Sequence, residues 1–140
     1  MSFENLPPNW ADLPLTTTAL AADVVDLVVH EYDRDDGCLA MLLCDPSGVL
    51  LQPVVLDHLP TSYGESEVRE LFGFLSHVRA DRPLSVVLAL GRPGGSPAQA
   101  RIRAWASWAV DECRRAGVEV WSFFLATPGT VREVRLPGAA

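Results

Sequence analysis

Residues 84–97 read LSVVLALGRPGGSP: an apolar run, a loop rich in Gly and Pro, and the start of a helix-forming segment. A short apolar run bounded by such breakers is the pattern of a central strand buried on both faces. The loop beyond it lies where open α/β sheets carry ligands, at a strand's carboxyl end and against a helix N-terminus. Chemistry carried by this chain is expected there. The loop offers Arg92 with the glycines Gly91, Gly94 and Gly95, and no His, Cys, Asp or Glu.

Working outward, residues 98–116 have helical spacing, with Ile102, Trp105, Ala106, Ala109, Val110 and Cys113 on one face and Gly117 at a natural C-cap position. Strands are expected over 118–125 and 131–136, joined by a tight turn over 127–130. On the amino-terminal side, Ser62-Tyr63-Gly64-Glu65 is a capping-box pattern opening a helix to about residue 79, with Val68, Leu71, Phe72, Leu75 and Val78 as its buried stripe. The run CLAMLLC, residues 38–44, is apolar on both parities and is expected as a buried strand. Asp45-Pro46-Ser47-Gly48 has the residue order of a type I turn. A strand over 49–56 then returns antiparallel, and Pro53 within it marks either an edge strand or a bulge. A first helix is expected over 19–32, ended by a solvated turn over 33–37. Residues 1–18, rich in proline, read as an extended arm anchored by Trp10. The order is α-β-β-α-β-α-β-β. The expected fold is a single α/β (α+β) domain over 19–140, a mixed sheet of about five strands with three covering helices.

Composition narrows the function classes. Apolar content of 49% and charged content of 21% fit an ordinary globular domain. No apolar run approaches the roughly 18 residues of a membrane span, and no signal pattern opens the chain, so a cytoplasmic protein is expected. Three cysteines without metal-type spacing suit that reducing compartment. A net charge of −7 argues against nucleic acid as a partner. The charge is uneven: residues 1–60 hold ten acids and one arginine, residues 61–140 eight acids and ten arginines. All eleven basic residues are Arg, which removes lysine chemistry and suggests a GC-rich genome.

The element order and the loop resemble the JAB/MPN fold of the JAMM metalloproteases, in particular its bacterial RadC branch. Leu88-Ala89-Leu90-Gly91-Arg92-Pro93-Gly94-Gly95 lies over that family's Leu-Ala-His-Asn-His-Pro-Ser-Gly. The resemblance runs loosely over residues 38–135 and implies a strand ending in a metal-binding loop, followed by a helix that supplies a serine and an aspartate. The positions it assigns to the two histidines hold Leu90 and Arg92. Those of the serine and aspartate hold Ala100 and Arg103, and the catalytic glutamate's place is near Gln52. Zinc needs His, Cys, Asp or Glu donors. The resemblance therefore implies a metal-free, non-catalytic member without cofactor.

Three functional readings follow. In the leading one the domain is a protein-interaction or scaffold module, binding a protein partner or itself, through Trp108 flanked by Arg101 and Arg115, the residue types enriched at interface hot spots. Trp108 could equally lie under the amino-terminal arm. In the second, the loop with Arg92, Gly94, Gly95 and Arg103 holds a small anion; a plain tight turn is the competing explanation. The third, a thiol or hydrolytic enzyme, is set aside. Cys38, Cys44 and Cys113 fall on apolar faces, no Gly-x-Ser-x-Gly elbow exists, and the pairs Asp26–His30 and Asp57–His58 have no placed nucleophile.

Overall fold

In the computed structural model, which describes residues 6–60, 62–94 and 99–136, the elements run α1 (Thr18–Val28), α2 (Glu31–Asp36), β1 (Cys38–Cys44), β2 (Leu50–Asp57), α3 (Glu65–Leu71), α4 (Leu75–Asp81), β3 (Ser85–Gly91), α5 (Gln99–Arg115), β4 (Glu119–Thr127) and β5 (Thr130–Val134). The five strands form one mixed sheet in the order β2-β1-β3-β4-β5. Every pairing is antiparallel except β3–β4. A parallel pair needs a crossover, and α5 is that crossover. The fold is thus the expected mixed α/β domain with β3 at its centre. β2, which carries Pro53, is an edge strand. No helix among the described residues is long and apolar enough to cross a membrane.

Strand alternation sorts the two faces. On one face Cys38, Ala40, Leu42, Cys44, Val87, Ala89, Phe124 and Ala126 meet Ala21, Ala22, Val24 and Val25 of α1 and Leu15 of the amino-terminal arm. On the other, Leu39, Met41, Leu88, Leu90, Phe123 and Leu125 meet Val68, Leu75, Trp105 and Ala109 from α3, α4 and α5. The arm reaches the sheet through Leu15, whose N–H donates to Gly48 O at 2.8 Å, and a 3-10 turn at Trp10–Asp12 sets Trp10 against the α1 face. The type I turn at 45–48 closes with Gly48 N–H donating to Asp45 O at 2.9 Å.

The helices depart from expectation in two places. The helix expected over 19–32 ends at Val28, and the acidic run expected as a solvated turn forms α2 instead. The cause is Arg34, which is only 1% exposed. Its Nε donates to Val29 O at 3.0 Å and its Nη2 to Asp26 O and Oδ1 at 3.3 and 2.9 Å, which satisfies carbonyls left over at the end of α1. Its Nη1 reaches Glu31 Oε1 at 3.3 Å and the carbonyls of Thr127 and Thr130 at 3.1 and 3.5 Å. Glu31 in turn accepts the Gly129 N–H at 3.1 Å. One guanidinium therefore ties α1, α2 and the β4–β5 turn together, which only a chain kinked at Val29 and His30 allows. The second departure is the helix expected to about residue 79. It breaks at Phe72–Phe74, where the bonds tighten to three-residue spacing (Phe72 N–H to Arg69 O, Gly73 N–H to Glu70 O, Leu75 N–H to Phe72 O). Gly73 is a poor helix former, and the break lets both Phe72 and Leu75 face the core. Among the described residues five α-helices therefore stand where three helices were expected.

Two expectations follow from this core. Replacing Arg34 with Met takes the donor from the carbonyls of Val29, Thr127 and Thr130 and the buried cation from beside Asp26, so urea denaturation should show a loss of about 3–5 kcal/mol. A loss below about 1 kcal/mol, the range of an exposed pair, would show that the clamp carries no weight. The thiols give the second. All three cysteines are buried and unpaired, and burial pushes them up from the usual 9.0, Cys38 to about 11 and Cys44 and Cys113 to about 12. Above pH 9 the unfolded chain loses these protons while the folded chain keeps them, so stability falls as pH rises from 9 towards 11–12, by up to about 1.4 kcal/mol per thiol per pH unit. Denaturation midpoints should drop between pH 9 and pH 10.5, and thiol reagents should label the native protein slowly but the denatured protein fast. Rapid native labelling of Cys113 would contradict both.

Candidate functional site at the carboxyl end of β3

β3 delivers Arg92 as the first residue beyond the sheet. Its N–H donates to Ala126 O at 2.9 Å, extending the β3–β4 ladder by one step. Strand alternation carries Leu88 and Leu90 to the α5 face, and Arg92 follows them there. Its guanidinium lies over the Trp105 ring, 5.5 Å from the centroid. Trp105 is fully buried and Arg92 is 5% exposed. Among the described residues neither Nη1 nor Nη2 of Arg92 has a hydrogen-bond partner, and neither does Trp105 Nε1. Burial lowers the Arg92 pKa, and the positive charge of Arg101 lowers it further.

The surrounding backbone is cut close to this group. Gly37 has φ +90°, and a Cβ there would stand 2.6 Å from Leu59 O and 3.3 Å from Arg92 Nη1. A Cβ at Gly91 would overlap Cys38 Sγ. Leu59 N–H donates to Gly37 O at 3.1 Å, which fixes the chain after β2 against the end of β1. Just before it, His58 takes φ +55°, an uncommon conformation for a non-glycine residue. Asp36 holds it there, pairing with His58 Nδ1 and accepting its backbone N–H at 3.1 Å, while His58 Nε2 stands 3.8 Å from Asp57 Oδ2. This pair is exposed at the rim, and among the described residues no hydrogen bond joins it to a thiol or hydroxyl.

The structure brings some of the sequence-selected residues together and separates others. Arg101, one helical turn before Trp105, is the arginine whose charge Arg92 feels, and its Nη2 donates to Tyr63 O at 2.8 Å. Arg103 is exposed, two residues and about 200° around the helix from Trp105, so it points away. The spacing of Arg101 to Trp105 at i, i+4 was the signal for the closer arginine. Gly94 is exposed and a Cβ on it would come 3.9 Å from Pro128 Cγ, at the β4–β5 turn. Gly95 lies outside the described residues. Leu90 is fully buried and Ala100 exposed. Gln52 pairs with Leu43, which pairs with Val86, so it sits near the amino end of β3, roughly 16 Å along the strand from Gly91. The β2 residue level with Gly91 is Asp57, through Cys38.

Arg101, Trp108 and Arg115 recur every seven residues and share one stripe of α5. Trp108 is half-buried against the cluster on the α5 face, whereas Trp10 and Leu15 of the arm pack on the opposite face of the sheet, so neither covers it. Arg115 pairs with Glu112 at 3.3 Å, and Glu112 also pairs with Arg69 of α3, which reaches Glu65 at 2.5 Å. Asp26 and His30 are not an orienting pair, since Asp26 serves Arg34 and His30 is the exposed N-cap of α2. No group of three or more His, Cys, Asp or Glu side chains able to hold a metal occurs among the described residues. Compared with known proteins, the chain matches no family model, no curated protein and no solved structure.

Proposed function

We propose that this chain is a metal-free, non-catalytic domain of JAB/MPN-like build that works by binding, as a protein-interaction or scaffold module. The observation that supports this most is Arg92, a buried fixed cation at the end of the central strand, where the family resemblance puts a metal-ligating histidine. A guanidinium stays protonated at any working pH. At 4 Å and an effective dielectric of 20, a dication and this charge repel by about 8 kcal/mol. That is a large part of the roughly 10–16 kcal/mol with which a complete ligand set holds zinc, and Leu90 and Arg103 add no donor. The other half of the reading, contact with a partner chain, rests on the α5 stripe, whose half-buried Trp108 between Arg101 and Arg115 combines the residue types that dominate interface energetics.

Two measurements check these halves. Elemental analysis of the purified protein should find no stoichiometric transition metal, and added zinc should leave the melting temperature unchanged; one metal per chain, or peptidase activity abolished by a chelator, would overturn the reading. In sedimentation velocity, Trp108→Ala should weaken concentration-dependent assembly. Its unfolding midpoint is measured in parallel, because Trp108 also packs on the core. Loss of stability with unchanged assembly would make Trp108 a core residue only.

A further inference from the structure

The protein buries two guanidiniums, and their surroundings differ sharply. Arg34 is met by two carboxylates and by carbonyls of four residues, including that of Asp26. Arg92, buried almost as deeply, has neither Nη satisfied among the described residues. A charge taken out of water without a partner is among the costliest arrangements a fold can hold, and native proteins retain it where a ligand completes it. Stacking on Trp105 covers one face of the guanidinium and leaves the N–H groups of Nη1 and Nη2 unanswered among the described residues. Arg101 adds a second positive charge nearby and thus raises the demand for an anion.

We propose that the carboxyl end of β3 is a carboxylate-binding site, in which Nη1 and Nη2 of Arg92 take up the two oxygens of one carboxylate beside the Trp105 ring. This rests on the reading of the domain as a binding module and names the group that this end recognises. The planar fork of Arg92 matches a carboxylate in two parallel hydrogen bonds. Arg101 is exposed and turned to the Tyr63 carbonyl, and the remaining neighbours, Gly37, Cys38 and Leu59, bring no further cation, so the one buried positive charge calls for a monoanion. A net charge of −7 sets the chain against polyanions such as nucleic acid. The carboxylate comes either from a free small acid or from the C-terminus of a peptide chain; both present the same group.

Thermal unfolding at matched ionic strength tests this with acetate, propionate, N-acetylglycine, N-acetylglycinamide, chloride and inorganic phosphate. The three carboxylates should raise the melting temperature of the wild-type protein by several degrees at saturation, while the amide and chloride should not. Acetate acting as strongly as N-acetylglycine identifies a free acid as the ligand; a clear preference for N-acetylglycine identifies a chain terminus. Arg92→Met should be more stable than wild type in carboxylate-free buffer and indifferent to carboxylate, because it removes an unpaired buried charge. In the wild type, the Trp105 indole Nε1–H resonance should shift on addition of acetate, a readout independent of how well the variant folds. Absence of any carboxylate effect, together with an Arg92→Met variant less stable than wild type, would overturn the proposal and leave Arg92 a hydrated structural cation. Stronger stabilisation by phosphate than by any carboxylate would overturn the ligand class. Zinc binding would instead overturn the metal-free reading beneath it, so the two failures are distinct.

Discussion

The fold depends on β3 being hydrogen-bonded along both edges and covered on both faces. All seven of its residues are buried. Because its one parallel neighbour is β4, the chain must leave β3 at its carboxyl end, cross by α5 and re-enter alongside. That crossover creates the exposed rim at which Arg92 emerges. The extra rung from Arg92 N–H to Ala126 O keeps strand alternation in force for one residue beyond β3, and this aims the guanidinium at Trp105 rather than at solvent. The site is thus a consequence of sheet topology. Small residues at its back, Gly37 and Gly91, are required by the closeness with which β1, α2 and the chain after β2 converge there.

Arg34 and Arg92 show two uses of the same side chain. Arg34 works as an internal cap, joining segments that are distant in sequence through a planar fork that no lysine could reproduce. It offsets its desolvation with a full set of acceptors and two acids, and the β4–β5 turn and the α1–α2 kink are held against each other as a result. Arg92 lies over the π-face of Trp105, and neither of its Nη atoms has a hydrogen-bond partner among the described residues. The fold completes one buried cation and leaves neither Nη of the other with a partner among the described residues, the contrast on which the proposed binding role of Arg92 rests. Activity-related strain of this kind is what stability alone would remove.

Much of this was legible in the amino-acid sequence because the strands are short, apolar and punctuated. CLAMLLC at residues 38–44 is β1 to the residue, the edge position of β2 is one of the two alternatives that Pro53 leaves, and β3 at Ser85–Gly91 differs by one residue at each end from the apolar run 84–90 expected as the central strand. The kink after Val28 was hidden because its cause, Arg34, sits in a run of acids that looks solvated, and its partners Thr127 and Thr130 are more than ninety residues away. The break at Phe72–Phe74 was hidden because the apolar stripe continues through it with only Gly73 as a local sign. At the site, Arg92 was visible as the sole charged residue of the loop. Its closeness to Arg101 rather than Arg103 follows from helical phase, and the remoteness of Gln52 follows from pairing register, which depends on three strands at once.

The central claim is that a fixed, unpaired cation buried on Trp105 forms the working end of this protein. Nitrogen-15 spectroscopy of the arginine side chains measures it most directly, at neutral pH and in carboxylate-free buffer. One guanidinium besides that of Arg34 should show resonances set apart from the solvent-exposed arginines, with Nη protons protected from exchange, and it should vanish in Arg92→Met. Carbon-13-labelled acetate should shift those Nη resonances and show direct coupling or proximity to them. An Arg92 guanidinium that exchanges as fast as the exposed arginines, and whose resonances do not move with acetate, would contradict the account.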